Sequence, residues 1–148
     1  MQGIEREEPQ VITSDKRLIQ SAVKAKEKAY APYSGFRVGA SILTKSGKIY
    51  TGCNVENASY SLTICAERVA VFKAVSDGEI DFKTIAIAFD SEKFIYPCGA
   101  CRQVLAEFSP NINIILVNVN GKTVETTLQN IFKEGTPLKD QVQRNGQK

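Results

Sequence analysis

Hydrophobic positions change their period several times along the chain, and each change marks an element. Leu18, Ile19, Ala22, Ala25 and Ala29 recur at helical spacing behind Thr13, Ser14 and Asp15, whose oxygens suit an N-cap, until Pro32 forbids continuation. This predicts a helix over 15–30. From Phe36 the period drops to two: Phe36, Val38, Ala40 and Ile42 share a face, and Lys45-Ser46-Gly47-Lys48 supplies a turn before a partner strand over 49–54. Residues 65–76 are apolar nearly all round and stop at Asp77-Gly78, so the helix expected there should lie between layers, not on the surface. Residues 82–89 are apolar enough for a strand buried on both faces, which implies parallel pairing. A further helix opens at Cys98-Gly99, aligns Cys101, Val104, Leu105 and Phe108 on one stripe, and ends before Pro110. A strand over 112–119, the hairpin signal Asn120-Gly121, a strand over 122–126 and a short helix over 128–133 complete the pattern.

That order suits one α/β domain with a single mixed sheet and helices on both faces. The domain is expected over 13–135, between a flexible segment at 1–12 and a polar, non-periodic tail at 136–148 that is expected to be disordered. The longest apolar stretches, near 84–89 and 112–119, fall far short of the roughly 20 residues a bilayer-spanning helix needs. The first ten residues are acid-rich and lack the basic start and apolar core of a secretory signal. A cytoplasmic protein without membrane contacts is the expectation.

Composition narrows the chemistry further. With 148 residues, 43% of them hydrophobic, the chain can bury a core without disulfide stapling. Its 19 basic and 16 acidic residues give a net charge of +3 with no basic run, so no nucleic-acid partner is expected. There is no His, which removes every Ser-His or Cys-His nucleophile pair and every imidazole-ligated metal. The four Cys, at 53, 65, 98 and 101, then stand out as reduced thiols for metal binding or redox chemistry.

Cys98-x-x-Cys101 at a helix start brings two sulfurs within reach of one ion, although the same spacing serves redox exchange and structural zinc. Cys65, 33 residues upstream and also at a helix start, adds a third thiol, with the carboxylate of Glu67 two residues beyond it. Structural zinc takes four closed ligands, whereas a catalytic ion keeps three and leaves a position for water. Cys53 decides between these arrangements: as a fourth ligand it would close the site, and as a small apolar residue on a strand it would leave the site open.

Four ordered motifs carry a resemblance to a known family: Ala31-Pro32-Tyr33-Ser34-Gly35-Phe36-Arg37-Val38-Gly39-Ala40, Gly52-Cys53-Asn54-Val55-Glu56-Asn57-Ala58-Ser59-Tyr60, Cys65-Ala66-Glu67-Arg68 and Pro97-Cys98-Gly99-Ala100-Cys101-Arg102-Gln103. Over roughly 31–132 the chain resembles the homotetrameric, three-cysteine class of cytidine deaminases. The resemblance implies a three-layer α/β/α fold around a five-stranded mixed sheet. It implies one zinc ion per chain on Cys65, Cys98 and Cys101, with Cys53 not a ligand. Zinc-activated water would attack C4 of cytosine while Glu67 shuttles protons. Arg68 would balance the negative charge of three thiolates. Asn54 and Glu56 match the pair that holds the ribose hydroxyls, Phe36 the aromatic that packs on the pyrimidine, and Ala58, Tyr60 and Ala66 match other positions of the substrate pocket. Phe132 matches an aromatic sent into a neighbouring subunit's site, although relatives often have Pro after the residue corresponding to Leu128. The expected reaction is hydrolysis of cytidine and 2′-deoxycytidine to uridine and 2′-deoxyuridine, in pyrimidine salvage.

Three alternatives stand beside this one. A related class deaminates a cytosine-bearing antibiotic, but the ribose pair Asn54 and Glu56 favours nucleosides. A zinc-stabilised interaction domain using all four Cys, or a C-x-x-C thiol oxidoreductase, would each leave Glu67 without a purpose.

Overall fold

The computed structural model describes residues 13–131. Within them lie α1 (Thr13–Lys26), β1 (Val38–Thr44), β2 (Ile49–Cys53), a 3-10 turn (Tyr60–Leu62), α2 (Ala66–Ser76), β3 (Phe82–Phe89), α3 (Gly99–Phe108), β4 (Asn113–Val117), β5 (Thr123–Thr127) and α4 (Leu128–Ile131). The five strands form one sheet in the order β2-β1-β3-β4-β5. Three pairings are antiparallel, and β3 runs parallel to β4, as the doubly buried pattern of 82–89 requires.

Alternation along the strands creates two cores. Ala40, Ile42, Ile85, Ile87, Phe89, Ile114 and Leu116 face α2, α3 and α4, whereas Leu43, Ala86, Ala88, Ile115 and Val117 face Leu18 and Ala22 of α1. The result is the expected three-layer α/β/α arrangement. Small residues set how close the layers come. A Cβ added at Gly39 would lie 2.1 Å from the Ala22 carbonyl oxygen, and one at Gly52 would lie 2.5 Å from that of Ala66. Only glycine lets α1 and α2 lie this close to the sheet.

Three expectations need correction. The first helix ends at Lys26, not near residue 30, because the following backbone is claimed by the segment leaving β2. There the Tyr30 N–H donates to the Asn54 carbonyl and the Glu56 N–H to that of Tyr30, each at 2.9 Å. Strand β1 begins at Val38, not Phe36, because side chains of Ser34 and Asn54 take up the backbone groups of Phe36. Helix α2 is not enclosed on all sides. It buries Ala66, Glu67, Ala70, Val71 and Ala74, but Phe72 on its outer face is 45% exposed.

No described helix is long and apolar enough to cross a membrane. The expected flexible start, the expected disordered tail and Phe132 lie outside the described residues.

Candidate metal centre and active site

Two helix starts supply the thiols. Cys65 is the N-cap of α2 and Cys98 the N-cap of α3, both in extended backbone, and neither side chain caps its helix. Their sulfurs are thus free to face each other, with Cys101 one turn into α3 beneath them. The three Sγ atoms lie within 4.8 Å of one another. Cys65 to Cys98 spans 3.8 Å and Cys98 to Cys101 spans 3.4 Å, far beyond a disulfide bond of about 2.05 Å. Each helix start also contributes a partial positive charge, worth roughly 0.3–1 kcal/mol toward a thiolate.

Charge is unevenly held among these groups. The hydrogen bond from Cys101 pushes the Cys65 thiol down to about 5, and the Arg68 guanidinium, whose Nη2 donates to Cys65 Sγ at 3.5 Å, adds to the effect. Cys101 is pushed up, first by that same bond to Cys65 and then by burial. Glu67 lies beside them and is only 5% exposed. Burial raises its pKa, and the negative charge of Cys65 raises it further, so Glu67 holds a proton more readily than an ordinary glutamate.

Cys65, Cys98 and Glu67 line a cleft of about 300 Å³ together with Phe36, Asn54 and Glu56. Asn54 is a brace as well as a wall: its Oδ1 accepts from the Val38 N–H and its Nδ2 donates to the Phe36 carbonyl, each at 2.9 Å. The Glu56 carboxylate accepts from the N–H groups of Tyr33 and Ser34 and from the Ser34 hydroxyl. The Ser34 hydroxyl bond, followed by the Ser34 N–H, lowers its pKa and keeps it ionised.

Comparison with known proteins decides the lineage of this arrangement. The family model for the cytidine and deoxycytidylate deaminase zinc-binding region matches residues 12–117. The chain belongs to this family. A cytidine deaminase of Sporosarcina psychrophila is 51% identical over 117 residues, covering 78% of this chain and 86% of the relative. One of Halalkalibacterium halodurans is 49% identical over 116 residues, covering 78% and 88%. The crystal structure of cytidine deaminase from Burkholderia pseudomallei aligns with a TM-score of 0.77 and 44% identity, over 82% of this chain and 98% of that one. Sheet and helices match that fold.

The donor set fits the zinc that the family implies. Two Zn–S bonds of about 2.3 Å at the tetrahedral angle place their sulfurs about 3.8 Å apart, close to the separations found here. Arg68 Nε is the one buried side-chain nitrogen or oxygen among the described residues with no hydrogen-bond partner. A buried guanidinium nitrogen without a partner suits a neighbourhood with net negative charge, as three thiolates around one divalent ion provide. The fit is for one zinc per chain.

Other expected residues lie further out. Cys53 is half-buried on β2, and its Sγ donates to the Lys28 carbonyl at 3.4 Å, outside the sulfur cluster. Ala66, buried at the start of α2, lines the cleft between Cys65 and Glu67. Tyr60 is 82% exposed in the 3-10 turn and borders a separate hollow beside Tyr33 and Glu56. Ala58 is exposed and does not line the cleft. Ser34, within the first motif, and Ile95 and Tyr96 also wall the cleft, and none of the three has a role among the expected site residues. Two large apolar residues in the loop before Pro97 were the available signal for that wall.

Proposed function

We propose that this chain hydrolyses cytidine and 2′-deoxycytidine to uridine and 2′-deoxyuridine, releasing ammonia, as a zinc-dependent deaminase. One observation carries the reading: a buried carboxylate with a raised pKa lies beside three converging thiols in a nucleoside-sized cleft. That the relatives named above are cytidine deaminases supports it.

Cys65, Cys98 and Cys101 would hold the zinc, and Arg68 would offset the charge of their sulfurs. Zinc supplies Lewis acidity there, lowering the pKa of a water molecule towards 7. Glu67 protonates N3 of the cytosine ring and later carries a proton to the exocyclic nitrogen, which leaves as ammonia. Its burial raises its pKa, which favours a carboxyl that can hold a proton for transfer. Phe36 packs on the pyrimidine, Asn54 and Glu56 hold the sugar, and Ala66 lines the pocket, with Ala58 and Tyr60 on the loop that flanks it.

The catalytic domain spans 13–135 and acts on free nucleosides in the cytoplasm, in pyrimidine salvage. Four free thiols among the described residues suit a reducing compartment. A homotetramer with shared active sites completes the reading, with Phe132 entering a neighbour's cleft. An open hollow of about 790 Å³ on the outer face of α2, lined by Val55, Ile64, Val69 and Phe72 together with Tyr50, Lys73, Ser76 and Asp77, offers a surface for another copy. The test is ammonia release and loss of absorbance on mixing zinc-loaded protein with cytidine or 2′-deoxycytidine. Turnover of both is expected, and inertness toward both would remove the proposal.

A further inference from the structure

Glu56 is gripped by its own protein before any substrate arrives. Its Oε1 accepts from the N–H groups of Tyr33 and Ser34, each at 3.0 Å, and its Oε2 accepts from the Ser34 hydroxyl at 2.5 Å. An ionised carboxylate offers about four lone-pair positions, so three protein donors leave about one, on the oxygen that the hydroxyl holds. The Ser34 hydroxyl is itself oriented. It accepts the Phe36 N–H at 3.0 Å, which leaves its own proton directed at Glu56.

We infer that Ser34 is a positioning residue for substrate: its hydroxyl fixes the rotation of the Glu56 carboxylate so that the remaining acceptor position takes a ribose hydroxyl. The inference rests on the deaminase reading proposed above. Without that hydroxyl, both remaining donors hold Oε1 alone, and the carboxylate can pivot about it. The turn does not depend on the hydroxyl, because the Gly35 N–H donates to the Ala31 carbonyl at 3.0 Å and Gly35 takes the left-handed φ of +68°. Phe36 would lose the partner of its N–H, but Asn54 still holds its carbonyl and the Val38 N–H on either side, so its place in the cleft is kept. Ser34 thereby acts on sugar binding through Glu56, without entering the chemistry at the pyrimidine.

The test compares zinc-loaded full-length protein with Ser34→Ala and Ser34→Thr on two substrates, cytidine and 2′,3′-dideoxycytidine. Losing a hydrogen bond to a charged group should raise KM for cytidine about 10- to 100-fold in Ser34→Ala, with kcat within about threefold and zinc content unchanged. Ser34→Thr, which keeps the hydroxyl, should recover most of the loss. The dideoxynucleoside offers Glu56 no ring hydroxyl, so Ser34→Ala should match the parent on it within about twofold in kcat/KM. An unchanged KM for cytidine, or an equal penalty on both substrates, overturns the inference. Should Ser34→Ala lower Tm markedly, Ser34→Cys, close in volume but a weaker donor, is assayed on the same pair and judged by the same outcomes. A parent inert toward cytidine defeats the deaminase reading and this inference together, whereas an active parent with an unaffected Ser34→Ala defeats this inference alone.

Discussion

In the proposed mechanism Glu67 is the residue on which the chemistry turns, and its burial among thiols separates two tasks that one substitution can distinguish. Glu67→Gln keeps the shape and removes the mobile proton. It should retain about one zinc per chain, measured by metal analysis, while cytidine turnover falls about 10²- to 10⁴-fold. Cys53→Ala should do the opposite of a ligand mutation. Its sulfur points at the Lys28 carbonyl, so zinc content and turnover should stay at parent levels, and loss of zinc would restore the four-thiolate structural reading. Cys98 and Cys101 were legible from their spacing in one helical turn, and Cys65 and Glu67 were joined to them by the ordered motifs that carry the family resemblance. Ser34 was not legible. Its partner lies 22 residues away, and nothing in a local pattern says which of two neighbouring loops a hydroxyl will hold.

Elements obey the same division between local and distant causes. The boundaries of β3 match the expected 82–89 because continuous apolar residues and bounding polar ones act locally. The early end of α1 was hidden because helical spacing through Ala29 competes with pairing to Asn54 and Glu56, and the competitor is visible only once the fold exists. The open face of α2 was hidden for a similar reason: an apolar helix surface does not declare whether its own chain or another will cover it. Close approach at Gly52 gives the element scale its test. An added methyl there meets the backbone at Ala66 and Ala70 of α2, the helix whose N-cap is Cys65. Gly52→Ala should therefore destabilise the fold by about 1–3 kcal/mol, seen as a lower midpoint in thermal or urea unfolding.

At the scale of the whole molecule, Asp90 joins three separate parts of the fold. It follows β3, pairs with Lys26 at the end of α1, and pairs with Arg37 ahead of β1, both at 2.9 Å. Burial pushes its carboxyl up, but the hydrogen bonds from Lys26 and Arg37 outweigh that and leave it below its ordinary value. The stabilisation is therefore present above the unfolded carboxyl pKa and is lost as pH falls through the lower folded value. Asp90→Asn should unfold at a lower temperature than the parent at neutral pH, and the gap should narrow as both are titrated into that acid range. The hollow on α2 gives a second test at this scale. Phe72→Glu places a charge among its apolar residues; if the proposed homotetramer uses this face, the variant should shift toward monomer in sedimentation, and an unchanged assembly would exclude this face as the contact.

The placement of Cys65 and Cys98 at the starts of two different helices has a last consequence. An ion held by both spans 33 residues of chain and ties α2 to α3, much as a crosslink shortens the loops available to an unfolded polypeptide. Zinc is then a clasp as well as a reagent. Stripping it with a chelator should bring earlier melting and faster proteolytic nicking, so that metal starvation would shorten the lifetime of the molecule along with silencing it.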